Sequence, residues 1–436
     1  MNDIFKIKDN TLFIDNVSTV ALAKEYGTPL YVYSETEIRR RIDEIKTMFT
    51  EKYKRAKAAY ASKAFLTVAM AQLINREGLL LDVVSGGELY TAIAAGFPAA
   101  RIEFHGNNKS YEELDRAIGY GVGKIIIDAF GELEMIENLA EKYSRNVNVL
   151  FRITPAVEVD THSFISTGHA DSKFGFSMDA RDEGNLNGIY SLFQKAIESK
   201  FVTLSGIHFH IGSQLFTNKS HLDALAVALG VYREVNDRFG YALPEINIGG
   251  GFGANYTEAD DRKPYSYFLD PVMEEVQRFC AQYDLKEPTI VIEPGRSIVG
   301  EAGITLYTVG SIRTSGGGTK YVSIDGGMPD NIRPALYGAK YEAILANKAD
   351  EPVSETVTIC GKCCETGDKI IEDGTLARAE RGDILAVFTT GAYGYSMASN
   401  YNRLPVPAVL FVADGKVKEI VKRQTFEDLI RNDLTI

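Results

Sequence analysis

The stretch Lys57-Ala58-Ala59-Tyr60-Ala61-Ser62-Lys63-Ala64 decides how the chain is read. Small residues at 58, 59 and 61 suit a strand in a tightly packed place, and Lys63 stands at its downstream end. A lysine there either snorkels its ammonium to water or does chemistry. In a partly desolvated pocket its amine has a lowered pKa and becomes a nucleophile for carbonyls. What later segments bring to the same end decides between the two.

Downstream of Lys63, strand-like and helix-like segments alternate with little interruption. Strands are expected at 57–63, 79–84, 101–105, 123–128, 147–153, 203–210, 244–249 and 289–293. The clearest helical pattern between them is Leu222, Leu225, Leu229, Tyr232 and Phe239, closed by Gly240. Eight strands alternating with helices imply a parallel sheet, and eight is the number that closes a (β/α)8 TIM barrel. An open doubly wound sheet is the alternative. The segment from Thr154 to Asn187 is a long loop carrying His162 and His169, and a loop of that length points to function or disorder.

Upstream, residues 1–34 hold the short runs Thr11-Leu12-Phe13-Ile14 and Pro29-Leu30-Tyr31-Val32-Tyr33 around an amphipathic Val17–Tyr26. A helix from Glu35 to about Tyr53 then leads into the Lys63 strand. After Arg296 short β-rich runs at 302–312, 319–325, 353–360, 384–389 and 407–412 are separated by Gly, Asp and Asn turns. The expected α/β organisation is therefore a barrel over 35–292, followed by an all-β domain of sandwich or Greek-key barrel type. The β domain would comprise 293–436 and be joined by the N-terminal segment 1–34.

Composition narrows the function. Hydrophobic content of 45% and charged content of 24% are ordinary for a globular enzyme. A net charge of −12, without a basic stripe, argues against nucleic acid or an anionic membrane as partner. The start has no basic region before an apolar core, so a cytoplasmic protein is expected. Four cysteines make no disulfide framework. Cys360, Cys363 and Cys364 invite a metal reading, but a fourth cysteine ligand would have to be Cys280, on an apparent barrel helix. No metal is expected.

In barrels the active site lies at the C-terminal ends of the strands. Besides Lys63, this chain puts Asp82 and Ser85, His105 and Asn107, His208-Phe209-His210-Ile211-Gly212-Ser213-Gln214, Gly249-Gly250-Gly251-Phe252-Gly253 and Glu293-Pro294-Gly295-Arg296 there. Each has a bland reading: a core histidine, a tight glycine turn, a buried Glu293 paired with Arg296. Together they are complementary parts of one cofactor site. The lysine would hold an aldehyde, the glycines would cradle a phosphate, and Glu293 would keep a pyridine nitrogen protonated. Those are the requirements of pyridoxal phosphate.

Six motifs carry a resemblance to one family. They are Tyr60-Ala61-Ser62-Lys63-Ala64, His208 to Gln214, Glu293-Pro294-Gly295-Arg296, Asn331-Ile332-Arg333-Pro334-Ala335-Leu336-Tyr337, Cys364-Glu365-Thr366-Gly367-Asp368 and Gly391-Ala392-Tyr393. From about residue 25 to 410 the chain resembles diaminopimelate decarboxylases, pyridoxal phosphate enzymes of the alanine-racemase-like fold type. The resemblance implies that Lys63 is the Schiff-base lysine and that His210 stacks on the ring. It implies cofactor contacts from Ser213, Gly251, Glu293, Gly295, Arg296 and Tyr393. The strand-end reading adds Asp82 and Gly250 to them. It further implies substrate contacts from Arg296, Arg333, Tyr337, Glu365 and Tyr393, with Cys364 as the catalytic acid. A homodimer with shared active sites is the implied assembly. Two positions depart from the family's commonest form: Phe65 where Asn often follows Lys-Ala, and Lys362-Cys363 before Cys364.

The expected activity is decarboxylation of meso-2,6-diaminopimelate to L-lysine and CO2, with a small amino acid as substrate. Decarboxylases of ornithine, arginine or a carboxylated polyamine are the nearest rivals. A racemase is the second enzyme class, and Glu293 speaks against it, because a racemase is better served by a cation near the pyridine nitrogen. A regulatory homologue would be expected to have lost Lys63 or the glycines, and both are present.

Overall fold

The computed structural model describes residues 3–157, 172–177 and 188–436. Most of the expected long loop from Thr154 to Asn187, with His162 and His169, therefore lies outside the described residues. The chain divides into two compact units. One is Ile42–Gly253 with Arg262–Gly295; the other is Met1–Arg41 with Ala254–Asp261 and Arg296–Ile436.

The first unit is a closed eight-stranded barrel. Its strands, in chain order, are Ala56–Ala61, Leu80–Val83, Ile102–Phe104, Lys124–Ile127, Val147–Arg152, Val202–His208, Glu245–Asn247 and Thr289–Ile292. Each pairs in parallel with the next, and the eighth pairs with the first, so the open doubly wound alternative falls. The helix Lys219–Phe239 buries Leu225, Leu229 and Tyr232 and ends at Gly240 with φ 63°, where a left-handed residue closes the last turn. The helix expected from Glu35 ends as an α-helix at Ile45, and a π-turn, Lys46–Thr50, follows and buries Phe49.

The first strand also stops earlier than its sequence suggests, at Ala61. Lys63 lies in a single 3-10 turn, Ser62–Ala64. The Tyr60 hydroxyl donates to the Phe65 carbonyl (2.7 Å), and the Ala61 N–H donates to the Pro294 carbonyl (3.2 Å). These bonds fold the backbone back where a straight strand would have continued.

Charged groups occupy part of the barrel interior, where branched apolar side chains are usual. Lys124 Nζ lies 2.9 Å from Glu103 Oε1 and 2.6 Å from Glu245 Oε1. Asn247 Nδ2 bridges Glu103 Oε2 (3.3 Å) and Glu293 Oε1 (2.7 Å). A buried ladder thus runs along the barrel to the eighth strand's end. Removing one member would leave its partner's charge buried and unmatched, which is strongly destabilising.

The second unit is built on a nine-stranded sheet. Leu30–Ser34 lies in it between Gly303–Thr314, antiparallel, and Ala408–Ala413, parallel, so the N-terminal segment does join the β-rich region. Lys320–Ile324, Glu355–Cys360 and Lys369–Leu376 extend one side and Lys416–Val421 the other, while Ile384–Val387 and Ala343–Leu345 branch from Gly303–Thr314. Three of these strands were not foreseen, among them the three-residue Ala343–Leu345. Lys369–Leu376 is interrupted by Glu372-Asp373-Gly374, and Lys416–Val421 has no buried residue to give it a core-facing stripe. Separate core clusters fill this unit, one around Leu30, Val32, Leu306 and Leu410, the other around Tyr307, Val322, Ile359 and Leu385.

Candidate active site

The barrel's C-terminal end centres on Glu293, one residue past the eighth strand and 5% exposed. Its Oε1 lies 3.0 Å from His105 Nε2, its Oε2 accepts from His208 Nε2 (3.2 Å), and Asn247 Nδ2 donates to Oε1. Burial alone would push the carboxyl up. The two imidazoles outweigh it and hold Glu293 well below the usual carboxylate range. The histidines diverge in turn. Burial pulls His208 down to about 4, whereas the Asp82 and Glu293 carboxylates overcome burial and raise His105. Asp82, 1% exposed on the second strand with Oδ1 3.7 Å from His105 Nε2, is pushed by burial up to about 6. Lys63, half-buried in its turn, offsets part of that rise with its charge and adds to the lowering that burial imposes on His210.

The glycine turn after the seventh strand is held by two imidazoles. The Gly250 N–H donates to His210 Nδ1 (3.2 Å), which places that ring's proton on Nε2. The Gly250 carbonyl accepts from His221 Nε2 (3.0 Å), and the His221 ring stacks on Phe252 at 5.4 Å. A Cβ on Gly250 would lie 2.2 Å from the Glu293 carbonyl oxygen, and Gly251 takes φ 102°, so neither position accepts a side chain. Gly295 packs with its Cα face on Ala61 and Ala64, where a Cβ would meet Ala61 Cβ at 3.0 Å. That contact presses the turn after the eighth strand against the one carrying Lys63. Ser213 is half-buried in the turn after the sixth strand.

In the β-rich unit, Arg296 and Arg333 are each 5% exposed and converge on one oxygen. Arg296 Nη1 donates to the Tyr256 hydroxyl at 2.6 Å and Arg333 Nη1 to the same atom at 2.8 Å. The Tyr393 ring lies 4.8 Å from Arg296 Cζ and 5.6 Å from Arg333 Cζ, and the Tyr337 ring 5.7 Å from Arg333 Cζ. Tyr393 reaches this position with φ 62°, rare for a residue with a side chain.

Cys364 and Glu365 are not gathered into that buried cluster. They stand exposed on the turn between Glu355–Cys360 and Lys369–Leu376. Buried Asp368 shapes the turn, accepting from the Met328 N–H (2.7 Å) and the Cys363 N–H (2.9 Å). Burial, helped by the Asp368 charge, pushes the Cys363 thiol up to about 12. The neighbouring Cys364 offers its thiol to solvent, with its N–H on Asn402 Oδ1 (2.7 Å). Cys280 is buried on the barrel helix Tyr265–Tyr283.

Three residues that the sequence did not single out belong to these sites: Asn247, His221 and Tyr256. Asn247 alternates with Glu245 on the seventh strand, so its inward side chain was in principle readable. His221 and Tyr256 act across the fold and carry no local signal.

The barrel end fits pyridoxal phosphate in its donor chemistry. A lysine amine, a buried carboxylate kept ionised, an imidazole held by the backbone, and a glycine turn that no side chain can enter all face one strand-end region.

Residues 35–300 match the family described as pyridoxal-dependent decarboxylase, pyridoxal binding domain. The diaminopimelate decarboxylase of Bacillus subtilis (strain 168) is 49% identical over 424 residues, 97% of this chain and 95% of that one. The crystal structure of diaminopimelate decarboxylase from M. jannaschii in co-complex with L-lysine matches with a TM-score of 0.91 at 34% identity, covering 100% of this chain and 98% of that one. The Helicobacter pylori diaminopimelate decarboxylase complexed with L-lysine matches with a TM-score of 0.85 at 30% identity, over 94% of this chain and 98% of that one. The chain belongs to the pyridoxal-dependent decarboxylases and, among them, to the diaminopimelate decarboxylase family.

Proposed function

We propose that this enzyme removes the α-carboxylate at the D-centre of meso-2,6-diaminopimelate, releasing CO2 and L-lysine as the last step of lysine biosynthesis. The observation that carries the reading is Glu293: a buried carboxylate that its neighbours keep ionised, at the same barrel end as Lys63. When bound, pyridoxal phosphate supplies an electron sink for the pair released as the C–CO2 bond breaks. Glu293 would keep the proton on the pyridine nitrogen, because its own affinity for that proton is low. A racemase would need the opposite electrostatics at that nitrogen.

The remaining roles follow from residue type and position. Lys63 supplies the amine that would hold the cofactor, and His210 the ring that would lie against it. Ser213, Gly250, Gly251, Gly295, Arg296 and Tyr393 would contact it further, with Asp82 behind. Cys364 delivers the proton that replaces the carboxylate, from a thiol that one chain leaves exposed. Arg296, Arg333, Tyr337 and Tyr393 take the substrate's distal carboxylate and Glu365 its ammonium.

The enzyme in this reading is a cytoplasmic homodimer whose subunits complete each other's active sites. Two features support it: four cysteines in thiol form, and Cys364 and Glu365 left exposed within one chain. Among the described residues, no helix is long and apolar enough to cross a membrane. Chiral analysis of the product from meso-2,6-diaminopimelate tests the reading. It should give L-lysine alone; D-lysine, or an epimerised diaminopimelate without CO2, would overturn it.

A further inference from the structure

We propose that Tyr256 is a positioning residue for the substrate: its hydroxyl oxygen converges Arg296 and Arg333 into one carboxylate-binding fork without cancelling either charge. The inference rests on the reading that these arginines take the substrate's distal carboxylate.

Two guanidiniums repel, and each would rotate toward solvent or toward a carboxylate if nothing held it. Here both donate to a single phenol oxygen, at 2.6 and 2.8 Å, using both of its lone pairs. Arg333 is 5% exposed, its Nε is buried with no partner, and no carboxylate stands within ion-pair range of it among the described residues. A buried cation left so is expensive unless an anion completes it, and a ligand carboxylate is the group of the right charge and shape. The phenol is the right companion for such a pair. It accepts two hydrogen bonds as an aspartate would, yet in its neutral form leaves the net charge of the fork for the ligand.

Tyr256 is itself held firmly. Its N–H donates to Asp260 Oδ2 (2.9 Å), and its ring meets Tyr341 edge-on with centroids 5.4 Å apart. Burial opposes ionisation of the phenol, but the two guanidiniums outweigh burial and hold it below its usual range. Ligand binding would draw the guanidiniums' charge onto the carboxylate and relax that pull.

Two substitutions in the holoenzyme separate positioning from simple structural support, with KM, kcat and cofactor absorbance as readouts. Tyr256→Phe keeps the ring and removes the shared oxygen. It should raise KM for meso-2,6-diaminopimelate about tenfold, the order expected for a lost charge-assisted hydrogen bond. Its kcat should stay within about twofold, and its cofactor spectrum should not change. Tyr256→Glu keeps an acceptor and strengthens the internal pairing, but fills the fork with a permanent anion. It should raise KM by about a hundredfold or more with the cofactor absorbance retained. A wild-type KM in either variant would overturn the inference. Arg333→Ala distinguishes the two possible failures. If it raises KM while Tyr256→Phe does not, the arginine reading stands and the fork idea falls; if it too leaves KM unchanged, both fall.

Discussion

Burial alone would raise the Glu293 carboxyl, and two imidazoles, those of His105 and His208, reverse that preference. Asp82 shows the contrast. It is equally buried and shares His105, but it is pushed up to about 6. The difference supports the electrostatic role proposed for Glu293. Glu293→Gln should therefore retain pyridoxal phosphate, because Lys63 and the glycine turn are untouched, while turnover falls by about a hundredfold or more. Cofactor absorbance together with the CO2 release rate checks this, and unchanged turnover would refute the role. Lys63 and Glu293 were legible in the sequence because each sits at a strand end, where residue type alone narrows the chemistry. Tyr256 was not. Its meaning comes from two arginines, 40 and 77 residues away in sequence, meeting on its oxygen.

The element that most depends on its surroundings is the glycine turn after the seventh strand. Its glycines were readable as a tight turn or an anion cradle. The imidazoles that fix it were not, since His221 lies on a helix whose pattern advertises only apolar packing. That histidine has a measurable consequence. Burial lowers its pKa from the usual 6.5 to about 4, so between those values the unfolded chain binds a proton that the folded chain refuses. Stability is lost as pH falls through that window, by up to roughly 3 kcal/mol. His221→Gln keeps a donor for the Gly250 carbonyl and removes the titration. Denaturation midpoints should then fall less between pH 6.5 and pH 4.5 than in the unsubstituted protein; an identical fall would place the acid sensitivity elsewhere. The strands were legible for a related reason. Eight apolar segments, each ending in polar or glycine-rich residues, admit few topologies, whereas edge strand Lys416–Val421 has no buried face to betray it.

The distribution of groups between barrel and β-rich unit motivates the proposed shared site. Lys63 belongs to the first and Cys364 to the second. If a homodimer completes each site with the partner's Cys364, inactive Lys63→Ala and inactive Cys364→Ala proteins should regenerate part of the activity when mixed. A mixed dimer then holds one intact site. No recovery, under conditions shown to exchange subunits, would mean that each site is built within one chain.

The far end of diaminopimelate carries both an ammonium and a carboxylate. A pocket with a buried, unneutralised Arg333 should reject an amino acid ending in an ammonium alone, because the guanidinium would stay buried without its anion. CO2 release by the holoenzyme from meso-2,6-diaminopimelate, L-lysine, L-ornithine and L-arginine, each offered at equal concentration, measures that preference most directly. A site built around Arg333 predicts release from diaminopimelate and a kcat/KM at least about a thousandfold lower for each of the others. Comparable release from ornithine or lysine would contradict it.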